Sequence, residues 1–141
     1  MTALDDWIAL REATLAQVRA QLGAEHAELF ADAGYGQMQG LTMLHAPDAH
    51  PGIFFFRDGR LAVLRVEHPE DEAGSLLARV GADAPTLRSA AAKRAFVHVR
   101  AEDGLAVADE DGHVIYVEIF PPTTFEDYQD RIHRAAPHFT E

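Results

Sequence analysis

The stretch GIFFFRDGRLAVLRVE, residues 52–67, decides the fold. Residues 52–57 and 60–67 are rich in aromatic and branched aliphatic side chains, which favour β-strands. Asp58 and Gly59 lie between them, and an Asp-Gly pair favours the tight two-residue turn that joins antiparallel strands. The stretch therefore predicts a β-hairpin that is closed by Pro69.

The same pattern recurs later in the chain. Another Asp-Gly pair, Asp111-Gly112, separates two apolar runs, and Glu102-Asp103-Gly104 precedes the first of them. Short turns between strands predict antiparallel pairing. Besides the hairpin, the predicted strands are residues 41–46, 95–101, 105–109 and 113–120.

Three segments have the apolar spacing of helices. Residues 5–22 and 70–80 end at Gly23 and Gly81, which suit helix C-termini. Residues 123–136 begin with Thr123 and Glu126 in the spacing of a capping box. Between these elements the sequence predicts a short helical turn at 28–33 and a loop or frayed turn at 85–92.

The two halves of the chain, residues 5–69 and residues 70–122, resemble each other in sequence. Asp58-Gly59-Arg60-Leu61 matches Asp111-Gly112-His113-Val114, and Leu64-Arg65-Val66 matches Val117-Glu118-Ile119. Ordered matches of this kind indicate an internal repeat. The predicted fold is thus α+β: one domain, 1–141, with the order α-βββ-α-βββ-α, an antiparallel sheet and helices on one face.

Composition restricts the classes of partner. The chain has 12 Lys and Arg against 23 Asp and Glu, and its net charge of −11 disfavours nucleic acids and anionic membranes. It has no cysteine, which excludes disulfides and Cys-ligated zinc and suits a cytoplasmic location. No signal peptide and no apolar run of membrane-spanning length is visible.

Two resemblances point to protein binding. The repeat resembles the helix-plus-sheet unit of the SmpA/OmlA and β-lactamase-inhibitor-protein group, through Val80-Gly81-Ala82-Asp83-Ala84-Pro85 and Asp111-Gly112-His113-Val114-Ile115. The order of elements is also similar to type III secretion chaperones and their YbjN-like relatives. Both resemblances imply a protein that binds other proteins rather than performing chemistry.

Strand alternation predicts a binding face on the sheet. If Val97, Val99, Val117 and Ile119 point inward, their neighbours point outward. A mixed surface of aromatic and charged residues suits protein recognition, although an ordinary solvated sheet face has the same pattern. The predicted partner-binding residues are Phe96, His98, Arg100, Tyr116, Glu118 and, from the first half, Arg65.

Two further clusters are candidates. Arg88, Lys93 and Arg94 form a basic patch that could bind an acidic partner or a phosphate, or could simply balance nearby acids. His45, Asp48 and His50 are weak metal candidates, because no further ligand is evident; a surface loop is the alternative.

The sequence contains no nucleotide-binding glycine loop and no nucleophile elbow. It therefore predicts a non-enzymatic protein-binding module, such as an adaptor, an inhibitor or a small chaperone, without a cofactor and with a homodimer as one form. A small-molecule or metal-binding protein is the first alternative. An unrecognised hydrolase using His98 and Glu118 as a catalytic pair is the second.

Overall fold

The Asp58-Gly59 and Asp111-Gly112 turns form the predicted hairpins in the computed structural model of the protein. Asp58 and Gly59 have φ angles of 51° and 79°, and Asp111 and Gly112 have φ angles of 52° and 87°. Two consecutive positive φ angles define the turn whose twist matches that of the flanking strands.

The structure describes residues 3–23 and 27–133, and within them the chain forms eight strands and four helices. The strands are β1 (Glu28–Tyr35), β2 (Met38–His45), β3 (Gly52–Arg57), β4 (Arg60–Glu67), β5 (Thr86–Arg88), β6 (Phe96–Arg100), β7 (Leu105–Glu110) and β8 (His113–Ile119). The helices are α1 (Ala3–Ala9), α2 (Leu15–Leu22), α3 (Ala73–Val80) and α4 (Phe125–Asp127), and α4 continues as a π-helical turn, Tyr128–Ile132. Single 3-10 turns form at Glu70–Glu72 and Ala101–Asp103.

All eight strands form one antiparallel sheet in the order β1-β2-β3-β4-β8-β7-β6-β5. Each half of the chain is a four-strand meander, and β4 and β8 join the two halves. The α+β class and the antiparallel sheet are confirmed. The prediction of three strands in each half is wrong, because β1 and β5 each add one.

The two added strands are both edge strands. Residues 28–33, predicted as a helical turn, pair with β2, and bulges after Phe30 and Ala33 accommodate Asp32 at a φ of 57°. Residues 86–88, predicted as a loop, pair with β6. Both strands are specified by partners outside their own segments, so local pattern indicates them poorly.

The first predicted helix, 5–22, is two helices. Thr14 begins α2 with a capping box, in which its hydroxyl accepts from the Gln17 N–H and the Gln17 side chain accepts from the Thr14 N–H. The Leu15 N–H also donates to the Gly59 carbonyl at 2.8 Å. The break therefore fastens the helices to the β3–β4 turn.

The helices do not all lie on one face, which corrects the prediction. On the helical face, α1, α2 and α3 bury Leu4, Trp7, Val18, Leu76 and Val80 against Phe54, Leu64, Leu105, Val117 and Ile119. On the opposite, C-terminal face, Tyr128 and Ile132 pack against Val63, Val97, Val99, Tyr116 and Phe120. Each face of the sheet thus has its own apolar core.

The C-terminal helix is shorter than the predicted 123–136. Its N-cap is Thr124, whose hydroxyl accepts from the Asp127 N–H, whereas Thr123 donates to the Asp127 carboxylate at 2.7 Å. Residues 134–136 of the prediction lie outside the described residues. The predicted apolar side is confirmed, since Phe125 packs on the same core as the π-helical turn.

Gly104 marks a close approach of two backbone segments in the second half. Its φ is 66°, and its carbonyl accepts from the Phe120 N–H at 3.0 Å. A Cβ at this position would overlap the Phe120 carbonyl oxygen. Gly112 has a similar φ of 87°, but a Cβ there would meet no atom within 4 Å, so it provides a matched comparison.

We expect Gly104→Ala to destabilise the protein more than Gly112→Ala. Both changes place alanine at positive φ, at a cost of about 1 kcal/mol or somewhat more. Only Gly104→Ala also forces two backbones apart, which adds about 1–3 kcal/mol. Urea denaturation followed by circular dichroism measures both, and equal losses would show that the close approach is unimportant.

Candidate functional site

The predicted binding face is divided between the two sides of the sheet. His98 lies opposite Val107, whereas Glu118 lies opposite Ala106. Directly opposed residues of an antiparallel pair point to the same face. Val107 belongs to the core of the helical face and Ala106 to that of the C-terminal face, so His98 and Glu118 point in opposite directions.

The error lies in the relative phase of β6 and β8. The prediction places Val97 and Val99 on the same side as Val117, but they pack on the C-terminal face with Tyr116. A shift of one residue reverses every side chain of a strand, and the sequence does not fix this phase. The alternative of a catalytic pair of His98 with Glu118 is therefore wrong.

Tyr116 and Glu118 are buried, which corrects their assignment to an outward surface. Tyr116 is 2% exposed and Glu118 is 0% exposed. The phenol of Tyr35 donates a hydrogen bond to one Glu118 carboxylate oxygen, and the phenol of Tyr128 donates to the other at 2.5 Å. A buried carboxylate requires such partners because desolvation of a charge is costly.

Arg65 completes this Glu118 network, which comprises Glu118, Tyr35, Tyr128, Arg65 and Tyr116. Arg65 lies opposite Glu118 in the β4–β8 pairing and donates to the Tyr35 hydroxyl at 3.1 Å. Its guanidinium lies over the Tyr116 ring, 3.7 Å from the centroid. Tyr116 is in turn 3.3 Å from the Ser89 hydroxyl. The Glu118 network therefore connects β1, β4, β8 and the π-helical turn Tyr128–Ile132, which we call the C-terminal turn.

Burial and the adjacent Glu118 carboxylate raise the pKa of both Tyr35 and Tyr128 well above the usual value. Both phenols consequently remain neutral donors at physiological pH. Hydrogen bonds to a charged acceptor contribute about 1.5–3 kcal/mol each. The arrangement is that of a structural clamp between elements.

Arg100 connects two elements. Its Nε donates to the Val80 carbonyl at 2.8 Å, and its Nη2 lies 2.7 Å from Asp83. A third contact reaches Glu102 at 3.3 Å. Arg100 thereby holds the C-terminal end of α3 on β6. Its guanidinium is used for these contacts within the protein rather than presented on the binding face that the sequence predicts.

A concave surface remains on the helical face beyond the edge of α3. We call it the Phe96 groove; it has a volume of about 610 Å³, and it is lined by Thr86, Arg88, Lys93, Arg94, Phe96, His98, Asp109 and Asp111. Phe96 is 45% exposed and lies between Arg88 of β5 and Asp109 of β7. The predicted basic patch and two of the predicted binding residues thus meet at one place.

The three basic residues of the groove have no carboxylate within 4.0 Å among the described residues. Arg88 donates to the Lys93 carbonyl at 3.1 Å, which folds the loop before β6 over the end of β5. The backbone N–H of Arg94 donates to the Glu110 carboxylate at 3.3 Å, so this contact does not involve the Arg94 guanidinium. Among the described residues, the Lys93 ammonium and the Arg94 guanidinium thus have no ionic partner, and the Arg88 guanidinium contacts only a carbonyl.

His98 and Asp109 are hydrogen-bonded to each other in the groove, through His98 Nε2 and Asp109 Oδ1. The second carboxylate oxygen of Asp109 accepts from the Gly112 N–H at 3.0 Å. Asp109 thus orients the imidazole while it fixes the β7–β8 turn. Residue spacing could have indicated this pair, because Asp109 and His98 lie on adjacent predicted strands.

The weak metal candidates do not converge. His50 Nδ1 accepts from the Gly52 N–H at 2.8 Å, and its ring packs edge-on against Phe54. Burial lowers the pKa of His50, consistent with a neutral ring that serves as an acceptor. Across residues 3–23 and 27–133 there is no group of three or more metal-ligating side chains, so His45, Asp48 and His50 do not form a site.

No protein-family model matches this chain, and no curated protein or solved structure matches it. The resemblances to the SmpA/OmlA group and to the YbjN-like proteins stay predictions. In the part of the chain that the structure describes, no helix is both long and apolar enough to cross a membrane.

Sequence reasoning missed the partners of Glu118. Tyr35 lies outside every predicted strand, in a segment that forms β1, and Tyr128 lies in the predicted helix 123–136, to which the prediction assigns no buried polar contact. An unmatched carboxylate between the apolar residues Val117 and Ile119 is the available signal, since buried acids need donors.

We expect Tyr35 and Tyr128 to resist ionisation while the protein is folded. Their folded-state pKa exceeds the unfolded value of about 10, so their stabilising contribution is complete below pH 10 and declines as the pH rises through the folded-state pKa. Phenolate absorbance should therefore appear from these residues only with the alkaline unfolding seen by circular dichroism.

The control variants are Tyr35→Phe and Tyr128→Phe, titrated separately. At pH values below the alkaline unfolding transition, each variant should show the same phenolate absorbance as the wild-type protein. If the folded wild type gains phenolate absorbance near pH 10 that either variant lacks, the clamp is weaker than the geometry implies.

Proposed function

We propose that this protein is a non-enzymatic protein-binding module whose contact surface is the Phe96 groove. The observation that carries the proposal is the large exposed ring of Phe96 in a concave surface beside cations that no described carboxylate pairs. Aromatic and arginine side chains are enriched where interface energy is concentrated. The cysteine-free composition supports a cytoplasmic location.

Phe96 is one of three exposed large apolar residues among those described, with Leu29 and Phe30 of β1. Phe30 is 42% exposed but lies on the opposite edge of the sheet, in a strand that has acidic neighbours. It therefore provides a control of equal chemistry and similar exposure outside the groove.

We also propose that the two halves arose by duplication. Each half contributes helical structure followed by a four-strand meander. Support comes from the β4–β8 register, where Leu64 pairs with Ile119 and Val66 with Val117 around the Arg65–Glu118 pair. The segments that match in sequence thus face each other in the register that a two-fold axis would give.

Phe96→Ala should remove the physiological partner, whereas Phe30→Ala should retain it. Loss of a central aromatic anchor costs about 2 kcal/mol or more, which corresponds to a loss of about 30-fold or more in affinity. The tagged wild type and both variants are used to isolate partners from cells that express the protein, with quantitative mass spectrometry. Calorimetry with the purified partner then measures the affinities.

A partner lost from Phe30→Ala and kept by Phe96→Ala would move the interface to the β1 edge. If no stoichiometric protein is captured, the groove is a small-ligand site, which its volume allows. Sedimentation of the pure protein shows whether a second copy of the chain is the partner.

Acid–base catalysis is a second candidate, because the hydrogen-bonded His98–Asp109 pair faces the groove and Thr86 lies opposite His98. We expect His98→Ala to alter no turnover on a panel of activated acyl esters. Ester hydrolysis that is lost in His98→Ala and kept in Phe30→Ala would replace the binding proposal with a hydrolase.

A further inference from the structure

We propose that the groove binds an acidic segment of a partner protein, with a large apolar side chain of that segment seated on Phe96. This inference rests on the proposed function and specifies the partner's chemistry. It follows from the charges in the groove, the position of the aromatic ring and the state of the neighbouring sheet edge.

The charges in the groove favour an anion. Arg88, Lys93 and Arg94 are three of the chain's 12 basic residues, and they contribute side chains to one surface of a protein with a net charge of −11. Of the carboxylates there, Asp109 is engaged by His98 and by a backbone N–H. Asp111, in the β7–β8 turn, also lines the groove, so three basic residues lie with two carboxylates there. The groove is thus a positive exception on an acidic protein.

The apolar component lies within reach of the cations. Arg88 is directly opposite Phe96 in the β5–β6 pairing, and Arg94 precedes Phe96 by two residues. Opposed residues in adjacent strands have side chains about 5 Å apart. A ligand that covers the ring therefore brings its flanking groups to the guanidinium groups, where carboxylates form charge-assisted hydrogen bonds.

The partner is expected to lie on the face of the sheet rather than to extend its edge. The buried His133 ring lies close enough to the backbone of Arg88 for that backbone to influence the His133 pKa, so the end of the C-terminal turn lies beside β5. Addition of a strand at β5 would have to displace it. The face bearing Phe96 is on the other side of the sheet from the core that holds Tyr128 and Ile132.

The direct test uses a fluorescein-labelled heptapeptide of sequence Gly-Glu-Asp-Phe-Asp-Glu-Gly, measured by fluorescence anisotropy. Two matched peptides replace the acids by Gln and Asn, or replace Phe by Ala. We expect the acidic Phe peptide to bind most tightly, and added salt to weaken it because exposed charges are screened. Equal binding of the neutral peptide would overturn the proposal.

The matched protein variants are Lys93→Glu/Arg94→Glu and Arg57→Glu/Arg60→Glu. Both pairs change the net charge equally, but Arg57 and Arg60 are exposed in the β3–β4 turn, away from the groove. We expect the Lys93→Glu/Arg94→Glu protein and Phe96→Ala to weaken binding by about 30-fold or more, and the control pair to change it far less. Circular dichroism verifies that each variant is folded.

The outcomes separate this inference from the proposed function. Equal losses from both charge-reversal pairs would attribute binding to net charge and overturn the acidic-segment proposal. Failure of the peptide, together with a cellular partner that depends on Phe96, would overturn the acidic specificity and leave the binding module intact. Tighter binding of ATP with the same variant dependence would make the groove a nucleotide site instead.

Discussion

The buried carboxylate of Glu118 is the constraint on which the C-terminal face depends. It has no exposed surface, and it accepts hydrogen bonds from Tyr35 of the first half and Tyr128 of the C-terminal turn. An isolated charge in such a place would cost several kcal/mol, so the phenols must be in position for the sheet to close. The same contacts hold the β1–β2 hairpin against the turn, where the Gln37 N–H donates to the Arg131 carbonyl at 2.9 Å.

Closure of that face determines where a ligand can bind. With the C-terminal face covered, the exposed sheet surface of the second half must be on the helical face. There α3 packs mainly on β7 and also contacts β6 and β8, whereas the start of α2 is hydrogen-bonded to the β3–β4 turn of the first half. A helix is about 10–12 Å wide and strands are about 4.8 Å apart, so one helix covers roughly two of them. Arg100 fixes α3 at one end of β6, and the Phe96 groove is the uncovered remainder.

Features that depend on interactions between residues close in sequence are predicted correctly, and features that depend on distant residues are not. The hairpin at 52–67 is predicted correctly because the Asp58-Gly59 turn and its flanking strands are specified locally. Sequence reasoning misses β1 and β5 because their pairing partners specify them. Sequence reasoning assigns the side chains of β6 to the wrong faces of the sheet. The alternation of that strand is the same whether both faces carry an apolar core or one face is exposed to solvent. Arg88, Lys93 and Arg94 nevertheless line one groove, as their closeness in sequence suggests.

The proposed duplication gives the Arg65–Glu118 pair a physical rationale. A two-fold axis between β4 and β8 would place two identical residues against each other at that position. Two arginines or two glutamates there would repel, and neither pair could be buried. In this chain the position holds opposite charges, linked because Arg65 donates to the Tyr35 hydroxyl and Tyr35 donates to Glu118. A change of one of the two residues would thus allow the pair to be buried at the junction of β4 and β8. Because it would also end the equivalence of the two halves, the edges formed by β1 and β5 would be free to acquire different surfaces, of which that beside β5 became basic.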